Sequence, residues 1–549
     1  MLTLAVKEAL EMGFILRRAA IFTMVAGLTV SALAHFREQS PAARGVGSAG
    51  KARLPAAGSA RAAGEGDAAA RAERYLNSVR DEPGLLVGFL ARMPKGGDLH
   101  NHLSGAVYAE SYIDYAAADG DCVDLGTSGL LPPPCDASSG RPPALDALSN
   151  ATLRNRLIDA WSVRNFHPTP EDRSVHDHFF AAFSRFGVVA GQRHWGDMMA
   201  EVVRRAAAEH EVYIELLLSP DAGEARGLLK PSEWSDDFSA MRSRLLDDGM
   251  AAVVAKGRRN LDEAEARMRQ VLGCGGTHPD AGCSTTVRYQ FQVLRALPRQ
   301  DAFSQMVAGF EMAAADPRVV GLNLVQPEDD RVALRDFALQ MRMLDFLHGL
   351  YPKVHISLHA GELAPGLVRP DDLGFHIRES IEKGHAERIG HGVDVMQENN
   401  PLGLLAEMAR RHVLVEICLT SNDLILGVRG RDHPLPIYLR YGVPVALATD
   451  DEGVARSELT WEYLRAVETY HLEYATLKRM VRDSLDHSFL PGASLWTAPE
   501  RVTRVAACSG QALSPEPASA ACRRYLDTNE KARIEWKEEV ELGRFEAGF

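Results

Sequence analysis

Eight short runs rich in Val, Ile and Leu recur along this chain, and longer stretches with helical periodicity lie between most of them. The runs are DLHNHL (98–103), VYIELLLSP (212–220), TVRYQFQVLRA (286–296), VVGLNLVQPED (319–329), HISLHAGE (355–362), RIGHGVDV (388–395), VLVEICLTSN (413–422) and PVALATDDEG (444–453). Segments such as RDFALQMRMLDFLHGLY and PLGLLAEMARRH supply the helices. Strand–helix alternation implies a parallel sheet, and eight such units imply a closed α/β barrel of the (β/α)8 TIM type. The barrel is expected over residues 71–490. Two loop insertions interrupt it, 116–150 with its Pro132-Pro133-Pro134 and 273–285. A C-terminal helical extension, 491–549, ends in the charged stretch NEKARIEWKEEVELGRF. That helix reads as a solvated face packed on the barrel, with a homodimer contact as the alternative.

The first residues read as an address rather than as fold. Arg17 and Arg18 precede the apolar run AAIFTMVAGLTVSALA (19–34), which ends in the small-x-small pattern Ala32-Leu33-Ala34. This is the layout of a secretory signal peptide over residues 1–34, too short for an ordinary bilayer span of about 20 residues. The stretch before the arginines is long for such a signal, which makes Met12 an alternative start. Residues 35–70, rich in Ala, Gly, Arg and Ser, read as a disordered linker, with a helix beginning near Ala69. The protein is expected to be exported, periplasmic or secreted; the alternative is an uncleaved N-terminal anchor. No stable membrane span is expected once the signal is cleaved.

Cysteine usage agrees with export. Six of the seven cysteines fall into close pairs, Cys122 with Cys135, Cys274 with Cys283 and Cys508 with Cys522, each bracketing a Pro/Gly/Ser-rich stretch. In an oxidising compartment such pairs can staple irregular loops. Cys418 lies in an apolar run and reads as a buried thiol. The net charge of −13 argues against nucleic acid as a partner, since gripping a polyanion needs a Lys/Arg surface.

The polar residues of the eight runs sit at corresponding places. His100 and His102 lie at the end of the first, His359 and Glu362 close the fifth, and His391 lies in the sixth. Asn422 ends the seventh, and Asp450 and Asp451 end the eighth. Two side chains at i and i+2 share a face only on a strand, and the C-terminal strand ends of such a barrel face one mouth. Residues far apart in sequence therefore converge. Three imidazoles and a carboxylate (His100, His102, His359 and Asp450) suit one divalent metal, zinc first, with iron, cobalt or manganese as alternatives. Such a metal lowers the pKa of bound water to about 7. Glu362 is placed to donate and shuttle a proton, His391 to hold and polarise hydroxide, and Asp451 to accept a hydrogen bond from substrate.

At these motifs the chain resembles the adenosine deaminase family of the amidohydrolase superfamily. The resemblance is carried by MPKGGDLHNHLSGA, VVGLNLVQPED, HAGE, RIGHG, LTSN followed by His433-Pro434, and ATDD, in order across roughly residues 90–490. The leader, the PKGG entry and the tail HSFLPG resemble the secreted growth-factor-related branch. The resemblance implies hydrolytic deamination of adenosine or 2′-deoxyadenosine to the inosine product and ammonia, by metal-bound hydroxide attacking purine C6. It also implies that Glu362 protonates N1, His391 orients the nucleophile and Asp451 bonds N7. Two positions depart from the family. Ser104 stands where many members carry an Asp that contacts the ribose 5′-hydroxyl. Gln326 stands where many carry a Gly whose backbone N–H approaches N3. Both concern substrate recognition, so a deaminase of another amino-purine, adenine or a modified adenosine, is the alternative. A catalytically dead nucleoside-binding scaffold ranks below both, because every metal and proton-transfer residue is present. A two-metal hydrolase is disfavoured because no bridging lysine ends the fourth run.

Other histidines read as ordinary. His176 and His178 form a second H-x-H, but in a helical stretch, where i and i+2 do not face each other. His355, His376, His385 and His412 lie outside the strand-end set. Glu416 points into an apolar run, and either core hydrogen bonding or a place near the pocket fits it.

Overall fold

Each of the eight apolar runs coincides with a parallel strand. In a computed structural model, which describes residues 65–549 apart from 171 and 499–501, the strands are β1 (Gly96–His102), β2 (Glu211–Leu218), β3 (Thr286–Leu294), β4 (Val319–Val325), β5 (His355–Ala360), β6 (Arg388–His391), β7 (Leu414–Ile417) and β8 (Val445–Leu447). They pair in chain order in one sheet. The sheet closes where β1 meets the segment after β8: His102 N–H donates to the Asp450 carbonyl at 3.0 Å, and Asp450 N–H donates to the His100 carbonyl at 2.8 Å. The closing seam of this (β/α)8 barrel thus brings the H-x-H pair beside the TDD motif. The signal-peptide expectation, and most of the linker, lie outside the described residues.

Helices lie between the strands, and beside these stand α1 (Glu65–Val79), α2 (Val175–Phe186), α3 (Leu419–Leu426) and α4 (Glu530–Ala547). Three sequence expectations change here. The linker reading of 35–70 fails at its end, because α1 already begins at Glu65. Asn422 does not end a strand: β7 stops at Ile417, and Asn422 sits within α3. The charged helix α4 is not a solvated face. It buries Glu535, Glu538, Glu539 and Glu546 together with Trp536 and Leu542. Its carboxylates have partners in the barrel: Glu538 accepts from Gly96 N–H at the start of β1 (3.0 Å), and Arg482 forms a two-pronged pair with Glu539 (2.6 and 2.9 Å). Tyr75 of α1, Phe89, Tyr474, Phe545 and Phe549 form an aromatic cluster that holds α1 and α4 together.

The three cysteine pairs are disulfide-bonded, Cys122–Cys135, Cys274–Cys283 and Cys508–Cys522, and Cys418 is a buried free thiol. The first staples a hairpin (Cys122–Asp124 with Gly129–Leu131) in the first insertion. The third lies in a small core of its own with Leu495, Trp496, Leu526 and Trp536. Among the described residues no helix is long and apolar enough to cross a membrane.

Candidate metal centre and active site

His100 and His102 leave the same face of β1, as i and i+2 must, and meet His359 from β5. The His100 and His102 Nε2 atoms lie 3.0 and 3.2 Å from His359 Nε2. Asp450 Oδ1 lies 3.4 Å from His102 Nε2 and 3.8 Å from His100 Nε2. Ligands on a tetrahedral zinc with bonds of about 2.0–2.1 Å stand about 3.4 Å apart, so these four atoms have the spacing of a mononuclear site. All four residues are buried.

What aims the imidazoles is a ring of acceptors inside the barrel. His100 Nδ1 meets Glu416 Oε2 at 2.8 Å, His102 Nδ1 meets Gln292 Oε1 at 2.9 Å and His359 Nδ1 meets Asn323 Oδ1 at 2.8 Å. An acceptor at Nδ1 puts the proton there and leaves the Nε2 lone pair free for a metal. Burial pulls His102 and His359 below the ordinary imidazole range, which also favours the neutral ligand form. Glu416 is itself tied to Ser357 Oγ (2.9 Å) and Arg388 Nε (2.7 Å). Burial alone would raise its carboxyl, but Arg388 and His100 outweigh burial and hold it below its usual value. Arg388 reaches a second buried carboxylate, Glu215, at 2.6 Å and lies over the Phe489 ring at 3.8 Å.

Glu362 follows β5 on a turn that requires Gly361. Gly361 has φ +74°, and a Cβ there would stand 2.6 Å from Asp394 Oδ1. Glu328, just past β4, accepts from the backbone N–H of Gly361 (3.2 Å) and Glu362 (2.8 Å), and His376 Nδ1 meets it at 2.6 Å. Glu362 Oε1 stands 3.7 Å from His391 Nε2. Burial, with the nearby carboxylates of Asp450 and Glu328, pushes the Glu362 carboxyl well above its ordinary range. Burial, followed by Asp450, does the same to Asp451. Its room is made by Gly105, where a Cβ would fall 1.5 Å from Asp451 Oδ1.

These groups open onto a cavity of about 250 Å³ that His102, His359, Glu362, Asp450 and Asp451 line on one side. Phe179, Phe180 and Phe183 of α2 form the apolar side. Ser104 and Gln326 also line it. Gln326 adopts φ +85°, the backbone that a glycine takes easily. Its side chain is held at the cavity wall, where Oε1 accepts from Ala296 N–H at 3.0 Å. His102, Ser104, Gln326, His359, Glu362, Asp450 and Asp451 line this cavity, whereas His100 and His391 are fully buried, their rings packed against that of His359. The H-x-H on α2 does not belong to the metal set. His178 bonds Asp172 and two carbonyls, and His176 bridges to Asp329 (3.2 Å).

Sequence reasoning misses Gln292, Asn323 and Glu328. Their signal is a polar residue at an inward position of an apolar strand, or just past its end.

A closed parallel barrel with a three-histidine, one-aspartate centre at its mouth is the architecture of the amidohydrolase superfamily. The sequence profile of the family described as adenosine deaminase matches residues 165–496, more than half of the chain, and the protein belongs to that family. The matched span begins after β1. Curated relatives include adenosine deaminases of Pectobacterium atrosepticum and Clostridium perfringens. The first is 34% identical over 151 residues, 27% of this chain and 42% of that protein. The second is 30% identical over 135 residues, 24% and 37% respectively. The aligned stretch thus spans about two fifths of the length of these relatives. Among solved structures, the adenine deaminase of Arthrobacter aurescens is similar at 18% identity and a TM-score of 0.45, over 72% of this chain and 94% of that one.

Proposed function

We propose that the protein hydrolytically deaminates a 6-aminopurine nucleoside, adenosine or 2′-deoxyadenosine, releasing ammonia and the 6-oxo product. The observation that carries this reading is the convergence of His100, His102, His359 and Asp450 beside the buried Glu362 at one cavity of about 250 Å³. A divalent metal held by these four residues, zinc by donor set, would acidify water and supply hydroxide at neutral pH. The remaining steps belong to the chain's own residues. Glu362, whose carboxyl burial biases toward the protonated form, hands its proton to N1 as hydroxide adds to C6; the resulting carboxylate takes the proton of the new C6 hydroxyl and passes it to the amine, which leaves as ammonia as the C6–N bond breaks and the C6 carbonyl forms. His391, whose Nε2 is buried without a hydrogen-bond partner among the described residues, orients the oxygen nucleophile. Asp451 faces the same cavity and bonds N7; because N7 has only a lone pair to offer, Asp451 does so as the protonated acid, the form its burial favours. The phenylalanines of α2 cover the ring and exclude water.

A second reading, a free base or modified adenine as substrate, is favoured by the uncharged Ser104 and the side chain at Gln326. We also read the protein as exported, in keeping with its three disulfides and its N-terminal sequence.

The test is to express the full chain in an oxidising compartment, load it with zinc, and follow ultraviolet absorbance with adenosine, 2′-deoxyadenosine, adenine and AMP. Conversion of the nucleosides, lost about 10²–10⁴-fold in Glu362→Gln with zinc content unchanged, is the expected result. No conversion of any of the four by zinc-loaded protein would overturn it.

A further inference from the structure

The LTSN and His-Pro motifs lie outside the metal set, yet they join into a chain of hydrogen bonds that ends on His391. The chain starts at a backbone donor. Leu435 opens the short helix Leu435–Tyr441, and its N–H, which has no partner inside the helix, is 3.1 Å from His433 Nδ1. A backbone N–H can only donate, so His433 Nδ1 accepts, and the neutral ring carries its proton on Nε2. Burial holds His433 down at about 4, so the neutral ring is the one present at pH 7. His433 Nε2 faces Asn422 Oδ1 at 3.0 Å, which fixes the Asn422 amide with its oxygen toward His433. The other end of that amide, Nδ2, lies 3.0 Å from His391 Nδ1. An amide nitrogen can only donate, so His391 Nδ1 accepts and the ring proton is on Nε2, the atom that faces Glu362 (3.7 Å) and Asp450 (4.0 Å).

We infer that Asn422 and His433 are positioning residues that lock His391 in its Nε2–H tautomer, so that His391 meets the attacking oxygen as a hydrogen-bond donor and not as its base. The inference rests on the deaminase reading for its consequence, though not for its geometry. It leaves Glu362 as the group that moves protons. All three residues are buried, so water does not compete for these bonds. His391 itself has φ +68°, and from the end of β6 its ring lies 5.0 and 5.1 Å from those of His100 and His359.

Two measurements test it. Neutron diffraction of the zinc-loaded protein exchanged into deuterium oxide should show deuterium on Nε2 of both His433 and His391. Deuterium on His391 Nδ1 would overturn the lock. Asn422→Asp offers an acceptor where the amide donated, so it should turn the His391 tautomer over. The expected result is a kcat about 10²–10³-fold lower with KM and zinc content near wild type. His433→Gln keeps an N–H donor toward Asn422 and should hold kcat within several-fold of wild type. An Asn422→Asp enzyme with wild-type kcat would sink the proposal. A wild-type protein that deaminates none of the aminopurines would instead defeat the functional reading, and the neutron result would still decide the tautomer.

Discussion

Replacing Glu416 by Gln tests whether the barrel interior, and not only the ligands, sets metal affinity. Glu416 gives His100 Nδ1 a charged acceptor at 2.8 Å while holding Arg388 and Ser357. A glutamine keeps the volume but has one acceptor for three donors. Either His100 loses its acceptor or the new NH2 faces the Arg388 guanidinium. Losing such an outer partner costs about 10–100-fold in metal affinity, or about 1.4–2.8 kcal/mol. Breaking a buried ion pair outright costs about 3–5 kcal/mol, but Arg388 keeps Glu215, so the metal-free protein should lose less than that. Zinc affinity is measured by competition with a chelator, and the metal-free stability by urea unfolding. A zinc dissociation constant within about 2-fold of wild type would refute the argument that Glu416 tunes His100.

Two further substitutions probe a buried carboxyl and the substrate pocket. The Glu538 carboxyl is pushed up to about 8 by burial, with Glu539 adding to it, so its stabilising contribution is full below its ordinary value of 4.5 and is lost as pH rises through 8. Glu538→Gln, a neutral mimic, should therefore melt higher than wild type at pH 8.5, and the gap should close toward pH 4.5; a gap independent of pH would refute this. Ser104→Asp should raise the ratio of nucleoside to free-base turnover if position 104 reads the ribose, and an unchanged ratio would count against that role.

Much of the fold and the metal centre is legible in the sequence because two periodicities agree on it. The apolar runs locate the strands, and polar residues at the ends of those runs locate the mouth. His100, His102, His359 and Asp450 need no more than that. What is not legible depends on which way a side chain points inside the barrel. Gln292, Asn323 and Glu416 look like scattered polar residues in apolar strands until closure brings each beside a histidine from another strand. The sequence pattern misplaces Asn422 because apolarity runs on past Ile417 while the backbone turns into α3, and a strand cannot be told from a short buried helix by apolarity alone. The glutamates of α4 look solvated in the sequence because nothing local to that helix announces Gly96 or Arg482 as partners.

Gln326 shows how a departure from a family pattern is read once structure is added. A non-glycine side chain on a left-handed backbone costs about 1–3 kcal/mol, which persists only where the surroundings over-determine the conformation. Here the surroundings are the end of β4 and the hydrogen bond from Ala296 N–H to the Gln326 side chain. The backbone is therefore the one a glycine would supply, while the side chain is held at the cavity wall. Gln326→Gly should relieve the strain and enlarge the cavity without touching the metal or Glu362. It should therefore shift KM among purines while leaving kcat for the best substrate nearly unchanged. A large fall in kcat with KM constant would mean that Gln326 acts on the chemistry and not on the choice of substrate.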